Sequence, residues 1–378
     1  MKLFFVAGEA SGDLHTAGLA QALLARDPSL KLKGLGGAKM REAGVEIIED
    51  ITAQAAVGIV EVVGVLGYFW KLFGRTKKLL AEEKPDALIL TDFPEFNLRL
   101  ADAAKKLGIR VIYFISPQMW VWRQGRVKIV KRSVDRMLCL FGFEQEWYRE
   151  RGVDAVHVGH PILDQLAKST DRAAPRASLG IPPDGPLFGL FPGSRRKEFR
   201  YNYPILAETA KLLAAEVPGA RFVTGLAPRI TPEMVAPYGK STGLALNPVA
   251  NRTVEAFRAS DVALVASGTA TLECAVIGTP LVVVYDMALT TLLLAHVFTR
   301  GREHYSLPNI VAGRTIVPEL YGPRARPRAA ADAAKKWLEP AERAKGEADF
   351  DEMRARLGRP GALDTTADEI MKFLREAK

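Results

Sequence analysis

In the first half of the chain, residues 3–7, 31–35, 87–91, 110–115, 137–141 and 155–158 form short β-rich runs that are mostly apolar from end to end. A strand with one wet face alternates polar and apolar residues, so unbroken apolarity predicts strands covered on both sides. Between these runs, 14–25, 97–107 and 143–151 carry helical patterning. Strand, crossover helix and next strand then build a parallel sheet through right-handed connections, with helices on both faces.

A polar, Pro-rich segment at 169–186 interrupts this pattern and is the best linker candidate. The alternation restarts beyond it, with strands predicted at 187–191, 221–224, 262–266 and 281–285 and helices at 203–215, 252–259 and 271–277. A chain of 378 residues also exceeds what one hydrophobic core usually organises. The expected architecture is therefore α/β, with two Rossmann-like, doubly wound domains facing across a cleft. The first domain is placed at 1–168 and the second at 187–345. A charged helical tail at 346–378 packs back on the first domain or on a partner subunit; residues 365–377 have the spacing of an amphipathic face.

The formal net charge of +9 favours anionic partners without choosing among phosphates, nucleotides, nucleic acids and acidic lipids. Cys139 and Cys274 stand far apart in apolar stretches and read as buried free thiols, giving neither a disulfide framework nor a zinc motif. The N-terminal apolar run is soon ended by Glu9, so it reads as a strand and not a signal peptide, and a cytoplasmic protein is expected. The apolar stretches at 57–73 and 282–298 are interrupted by Glu61 and Asp286 and fall short of the roughly 20 clean residues of a membrane span.

In open α/β sheets ligands bind beyond the carboxyl ends of the strands, so the loops there are the candidates for chemistry. Ala7-Gly8-Glu9-Ala10-Ser11-Gly12-Asp13-Leu14-His15 offers Glu9, Ser11, Asp13 and His15 to such a site, unless Ser11 or Asp13 caps the helix that follows. Gly34-Leu35-Gly36-Gly37 lacks the third spaced glycine of a dinucleotide loop and follows the wrong strand. It reads as a tight turn, and a nicotinamide oxidoreductase is disfavoured. Asp92, in Thr91-Asp92-Phe93-Pro94-Glu95-Phe96-Asn97, sits at a strand tip where a general base would belong, or is a satisfied structural carboxylate. Glu95 or Asn97 serves the next helix start. In 116–126, Trp120 and Trp122 stand with Gln118, Arg123 and Arg126, a set suited to sugar rings and phosphates or, alternatively, to core packing.

In the second half, Pro192-Gly193-Ser194-Arg195 is no Walker loop, but small residues let amides approach a phosphate that Arg195 would grip. Ala266-Ser267-Gly268-Thr269-Ala270-Thr271-Leu272-Glu273 joins a strand to a helix and makes an anion site of amides and helix dipole, or a simple N-cap. Glu273, one turn in, could accept hydrogen bonds from ribose.

Taken in order with Gly34 to Met40, residues 57–62, Val158-Gly159-His160-Pro161 and Leu307-Pro308-Asn309, these stretches resemble lipid A disaccharide synthases, inverting glycosyltransferases of GT-B fold, over residues 1 to about 310. Thr16, where family members often have glycine, and the region after Asn309 depart from the pattern. The resemblance implies transfer of 2,3-diacylglucosamine from UDP to the 6-hydroxyl of 2,3-diacylglucosamine 1-phosphate (lipid X), giving a β-1,6 disaccharide 1-phosphate and UDP.

In that reading Asp92 is the candidate base, with Glu9 and His15 as alternatives. Ser194, Arg195, Ser267, Gly268, Thr269 and Thr271 hold the diphosphate, Glu273 the ribose, and Asn309 lies near the nucleotide. Glu9, Ser11, Asp13, His15, Gln118 and Trp120 meet the sugars. No cofactor is implied, since the UDP-sugar is a substrate, and no metal, since no Asp-x-Asp motif is present. Acylated substrates require access to a membrane, here the inner face of the inner membrane. Val62, Val65, Leu66, Phe69, Trp70, Leu72 and Phe73 would face it, with Lys71, Arg75, Lys77 and Lys78 near acidic headgroups, unless these apolar residues are ordinary core. No nucleic-acid partner is implied, and a homodimer is left open. The competing readings are another GT-B UDP-hexosamine transferase, a UDP-sugar epimerase, or a basic binding module without turnover.

Overall fold

The computed structural model describes residues 1–52, 62–121, 123–286 and 304–376, and for 62–66 the backbone alone. The chain divides into two compact units, Met1–Asp164 with Leu357–Lys378, and Gln165–Arg356.

Among the described residues the first unit holds seven strands: β1 (Lys2–Ala7), β2 (Lys31–Gly36), β3 (Glu46–Asp50), β4 (Ala87–Thr91), β5 (Arg110–Phe114), β6 (Arg136–Cys139) and β7 (Ala155–His157). All neighbours are parallel, in the order β3-β2-β1-β4-β5-β6-β7. The second unit holds β8 (Leu187–Phe191), β9 (Arg221–Leu226), β10 (Pro248–Ala250), β11 (Val262–Val265), β12 (Leu281–Tyr285) and β13 (Glu319–Tyr321), again parallel, in the order β10-β9-β8-β11-β12-β13.

Both sheets thus reverse direction once. The reversal falls between β1 and β4 in the first unit and between β8 and β11 in the second. At such a point the following loops diverge to opposite faces and leave a crevice beyond the strand ends, which is where doubly wound sheets bind ligands. The central strands are buried along their length, β4, β8 and β11 at every residue, so they read in the sequence as apolar runs. β3, β10 and β13 are missing from the sequence-based strands because they are edge strands that lack a buried apolar run: Glu-Ile-Ile-Glu-Asp of β3 alternates exposed and half-buried residues, and β10 and β13 are three residues each with none buried, whereas the edge strand β7 starts from a buried alanine.

Two boundaries differ from expectation. The segment 169–186 is part of the second unit and not a linker. It contains the helix Ala173–Ser178, whose Arg176 is buried and bonds the Ala259, Pro183 and Gly185 carbonyls and the Asp261 carboxylate. The helix Pro340–Arg356 also stays with the second unit, and the chain returns to the first at Leu357. There the last helix, Ala362–Arg375, lies on the helix Ala10–Arg26: Leu363 fills the space over Gly18, and Arg26 bonds Asp364 and Asp368. Arg110 donates to the Phe373 and Leu374 carbonyls at the same seam. Among the described residues no helix is long and apolar enough to cross a membrane.

Candidate functional site

In the first unit, β1 and β4 end side by side, Ala7 in register with Thr91, and deliver Gly8-Glu9 and Asp92-Phe93 to the reversal point. Asp92 and Phe93 both take left-handed backbone conformations, with φ of +47° and +50°. Non-glycine residues pay about 1–2 kcal/mol each there, and such strain persists only where surrounding contacts impose it. Those contacts are explicit. The Asp92 carbonyl accepts bonds from Asn97 Nδ2 at 2.7 Å and from the Tyr113 hydroxyl at 2.6 Å, while Asn97 also reaches the Thr91 carbonyl. Thr16 Oγ1 bonds Thr91 Oγ1 at 2.8 Å, tying the first helix to the same strand end.

The half-buried Asp92 carboxyl is pushed up to about 6, first by burial and then by the neighbouring charge of Glu9. A base of that strength is ionised at neutral pH yet holds a proton well enough to accept one during reaction. Glu9 and Ser11 are exposed at the start of the first helix. His15 is held below the usual imidazole range by burial, and its Nδ1 is a buried atom with no hydrogen-bond partner. His160, beside it, is pushed down to about 3 by burial and by His15 and His157.

Three residues placed at the sugar or membrane by sequence are engaged elsewhere. Asp13 is buried, and its two oxygens accept the Gly37, Lys39 and Met40 amides at 2.8, 3.0 and 3.2 Å, so it fixes the loop after β2 and is not free for a sugar. Trp120 is 7% exposed, donates to Glu144 Oε1 at 3.0 Å and packs edge-on against Phe143, a core position and not a stacking platform. Leu72 is 1% exposed and belongs to the core of the first unit. Gln118 is exposed, and Glu95 is held by Arg123 and Arg126, each at 2.8 Å. Phe69, Trp70 and Phe73 gather with Phe93 and Phe96 around an apolar cavity that the sequence did not disclose. Trp122 and the side chains of Val62, Val65 and Leu66 lie outside the described residues, as do 287–298 of the second apolar stretch.

In the second unit the reversal point is flanked by the loops after β8 and β11. The Ser194 and Arg195 amides turn inward to Glu198 Oε2 at 2.9 and 3.1 Å, so the amide cradle expected here is already closed by a carboxylate. Gly193, at φ +103°, leaves room for that carboxylate: a Cβ on it would stand 2.6 Å from Glu198 Oε2. The Arg195 guanidinium remains 79% exposed, with Glu198 Oε1 at 3.2 Å.

The loop after β11 is open. Gly268 and Thr269 are exposed at the start of the helix Thr269–Ile277, and nothing lies within 4 Å of where a Gly268 Cβ would be. The buried Thr271 hydroxyl bonds the Gly268 carbonyl at 2.7 Å and shapes that turn, so it supports the site from beneath. Tyr321, from β13, donates to Ser267 Oγ at 3.0 Å. Glu273 is half-buried, its carboxyl raised by burial, and it has no hydrogen-bond or ion-pair partner among the described residues. An unpaired carboxylate one turn into a helix start awaits a donor.

Asn309 is fully buried, and both ends of its amide are used: it accepts the Ile316 and Val317 amides and donates to the Val317 carbonyl and Glu319. It braces the chain leading into β13 and has nothing left for a nucleotide. Glu198, Tyr321 and Asn97 carry roles that sequence reading missed. Tyr321 acts on a residue 54 positions away and Asn97 on backbone carbonyls of the preceding turn, whereas Glu198, at the third position of its helix, closes a capping box whose local spacing could have disclosed it. Among the described residues no group of three His, Cys, Asp or Glu side chains is arranged to hold a metal ion.

The likeness to known proteins follows the same lines. In solved structures the fold recurs in the S. aureus MnaA-UDP co-structure, at a TM-score of 0.66 and 12% identity over 99% of this chain and 97% of that one. It recurs as well in Acinetobacter baumannii MurG, at 0.59 and 14% over 98% and 99%. The lipid-A-disaccharide synthase of Myxococcus xanthus is 41% identical over 374 residues, 99% of this chain and 97% of its own. That of Geobacter metallireducens is 38% identical over the same shares. The lipid-A-disaccharide synthetase family profile matches residues 3–370, and the protein therefore belongs to that family.

Proposed function

We propose that this chain is a metal-independent, inverting hexosyltransferase that joins two acylated glucosamines, taking one from its UDP carrier and placing it on the 6-hydroxyl of 2,3-diacylglucosamine 1-phosphate. The observation that carries the reading is Asp92, a carboxylate held by a strained turn at the sheet reversal with its proton affinity raised to about 6.

In this reading the acceptor hydroxyl gives its proton to Asp92 while its oxygen attacks the anomeric carbon on the face opposite UDP, which inverts that centre. Glu9 keeps Asp92 basic, and Ser11 and Gln118, exposed in the same unit, are polar groups available to the acceptor sugar. Negative charge grows on the departing diphosphate. In the second unit the exposed helix start at Gly268-Thr269, with Ser267, offers amides and the positive end of the helix dipole to that charge, and the free face of Arg195 adds a guanidinium. Glu273 accepts hydrogen bonds from the ribose hydroxyls. These groups neutralise the leaving diphosphate without a cation, so full activity in chelator is expected and its abolition would refute this part. Because both substrates carry acyl chains, the enzyme works at the surface of the inner membrane.

Purified protein supplied with both acylated sugars should release UDP and form the disaccharide in equal amounts. Asp92→Asn should lose turnover while retaining UDP binding. Normal turnover by that variant would remove Asp92 from the role, and turnover of soluble, unacylated UDP-N-acetylglucosamine in place of the acylated donor would favour a different hexosamine enzyme.

A further inference from the structure

Next to the Asp92 turn lies a cavity of about 350 Å³ lined, among the described residues, by five aromatic rings, Phe69, Trp70, Phe73, Phe93 and Phe96, and by Glu95 and Arg99. The rings brace one another: Phe93 lies 5.4 Å from Phe69 and 5.7 Å from Phe96, centroid to centroid, and Phe73 lies 6.1 Å from Phe96. The two charges are already answered. Glu95 is neutralised by Arg123 and Arg126, and Arg99 lies over the Trp70 ring at 5.8 Å. Trp70 is 65% exposed, so the cavity reaches the surface.

A polar guest would leave its donors and acceptors unmatched among those rings, whereas a hydrocarbon guest needs no partner. The size stands near the lower end of small-molecule sites, roughly 300–1,000 Å³. Phe93 is the wall between this cavity and the carboxylates. On the far side its ring rests on Gly8, where a Cβ would fall 2.4 Å from Phe93 Cγ, and Gly8 precedes Glu9. The left-handed pair Asp92-Phe93 thus presents the carboxylate and the aromatic wall from consecutive residues.

We infer that this cavity is a slot for one acyl chain of the acceptor sugar, with Phe93 setting where the chain leaves the ring and Phe73 and Trp70 setting how much of it is held. The inference rests on the proposed reaction, because it is the acceptor hydroxyl that gives Asp92 its proton. A sugar seated there has its acyl substituent within a residue's width of Phe93. Asp92 and the slot then select together: a chain in the slot places the hydroxyl on the base.

The test is a series of acceptors whose acyl chains lengthen by two carbons, offered in nonionic detergent. Each buried methylene is worth about 0.8 kcal/mol, so KM should fall about fourfold per carbon until the slot is full and then level. Phe73→Trp, which fills the slot, should move the levelling point to shorter chains, and Phe73→Ala to longer ones. An identical profile in all three proteins overturns the inference. It is equally overturned if these variants alter flotation with anionic vesicles while leaving the profile unmoved, since the rings would then belong to the bilayer contact.

A second measurement needs no turnover. An acceptor brominated near the end of its chain should quench tryptophan emission in the wild-type protein, and Trp70→Phe, at an exposed position, should lose the greater part of that quenching; equal quenching in both overturns the slot. Quenching through Trp70 without disaccharide formation would sink the proposed reaction and leave the acyl slot standing. Disaccharide formation with neither a profile shift nor Trp70-dependent quenching would do the reverse.

Discussion

Replacing Asp92 by asparagine should abolish turnover and make the protein more stable, with a gain that depends on pH in a calculable way. Burial and Glu9 raise the Asp92 carboxyl from 3.8 to about 6 in the folded chain. The native state therefore holds this proton more tightly than the unfolded state. As pH rises from 3.8 through 6 the unfolded chain ionises first, and stability is lost and stays lost above 6. Two units of displacement at about 1.36 kcal/mol each bring the penalty to about 3 kcal/mol at pH 8 and about 1 kcal/mol at pH 4.5. Asparagine mimics the protonated carboxyl, makes the same demands on space and tolerates the left-handed backbone better than most residues. Urea unfolding at the two pH values, at constant ionic strength, should show Asp92→Asn more stable by about 3 kcal/mol at pH 8 and by about 1 kcal/mol at pH 4.5. In the wild type, kcat/KM should climb with pH up to about 6 and then level. A variant equally stabilised at both pH values, or destabilised at pH 8, would refute the account of a carboxylate held ionised against its surroundings.

Three further outcomes follow from contacts already described. Trp120→Phe removes the indole donor to Glu144, a buried carboxyl pushed up to about 7 by its burial, and should lower stability by about 1–3 kcal/mol in urea, with little change in KM for either sugar. Asn309→Ala orphans the Ile316 and Val317 amides and should cost about 2 kcal/mol or more, while the folded fraction binds UDP unchanged by calorimetry; a pure loss of UDP affinity would return Asn309 to the nucleotide. Glu273→Gln should weaken UDP binding about tenfold by removing a charged acceptor and at the same time raise stability at pH 8, where the unpaired carboxylate is ionised at a cost; weaker folding would show that an unseen partner holds it.

The central strands were legible in the chain because burial on both faces writes itself locally: residues 87–90, Leu187–Phe191 and 281–284 are buried and carry no polar side chain, and no distant residue is needed to read them. The loops that matter were legible for a related reason. Where a buried strand ends, small and charged residues must begin, and the ordered succession of such loops marks the family. The edge strands β3, β10 and β13 escaped because a half-wet or very short strand has no continuous signature, although the edge strand β7 was read from its apolar run, and the helix Pro340–Arg356 was misplaced because charge and periodicity say that a helix forms without saying which sheet it covers.

For individual side chains the decisive fact is who occupies their hydrogen-bonding capacity, and the occupants are remote. Asp13 is spent on amides 24 to 27 residues away, Trp120 on a carboxylate 24 residues on, and Asn309 on the strand it braces. Glu273, unpaired among the described residues, and Asp92, which meets the Phe93 amide, look no different in sequence from the carboxylates consumed elsewhere. The Phe93 wall arises from two left-handed residues clamped by Asn97 and Tyr113. Chain composition can specify which groups are present at a strand end, but only packing decides which of them remain unsatisfied, and an unsatisfied group is the one that can bind.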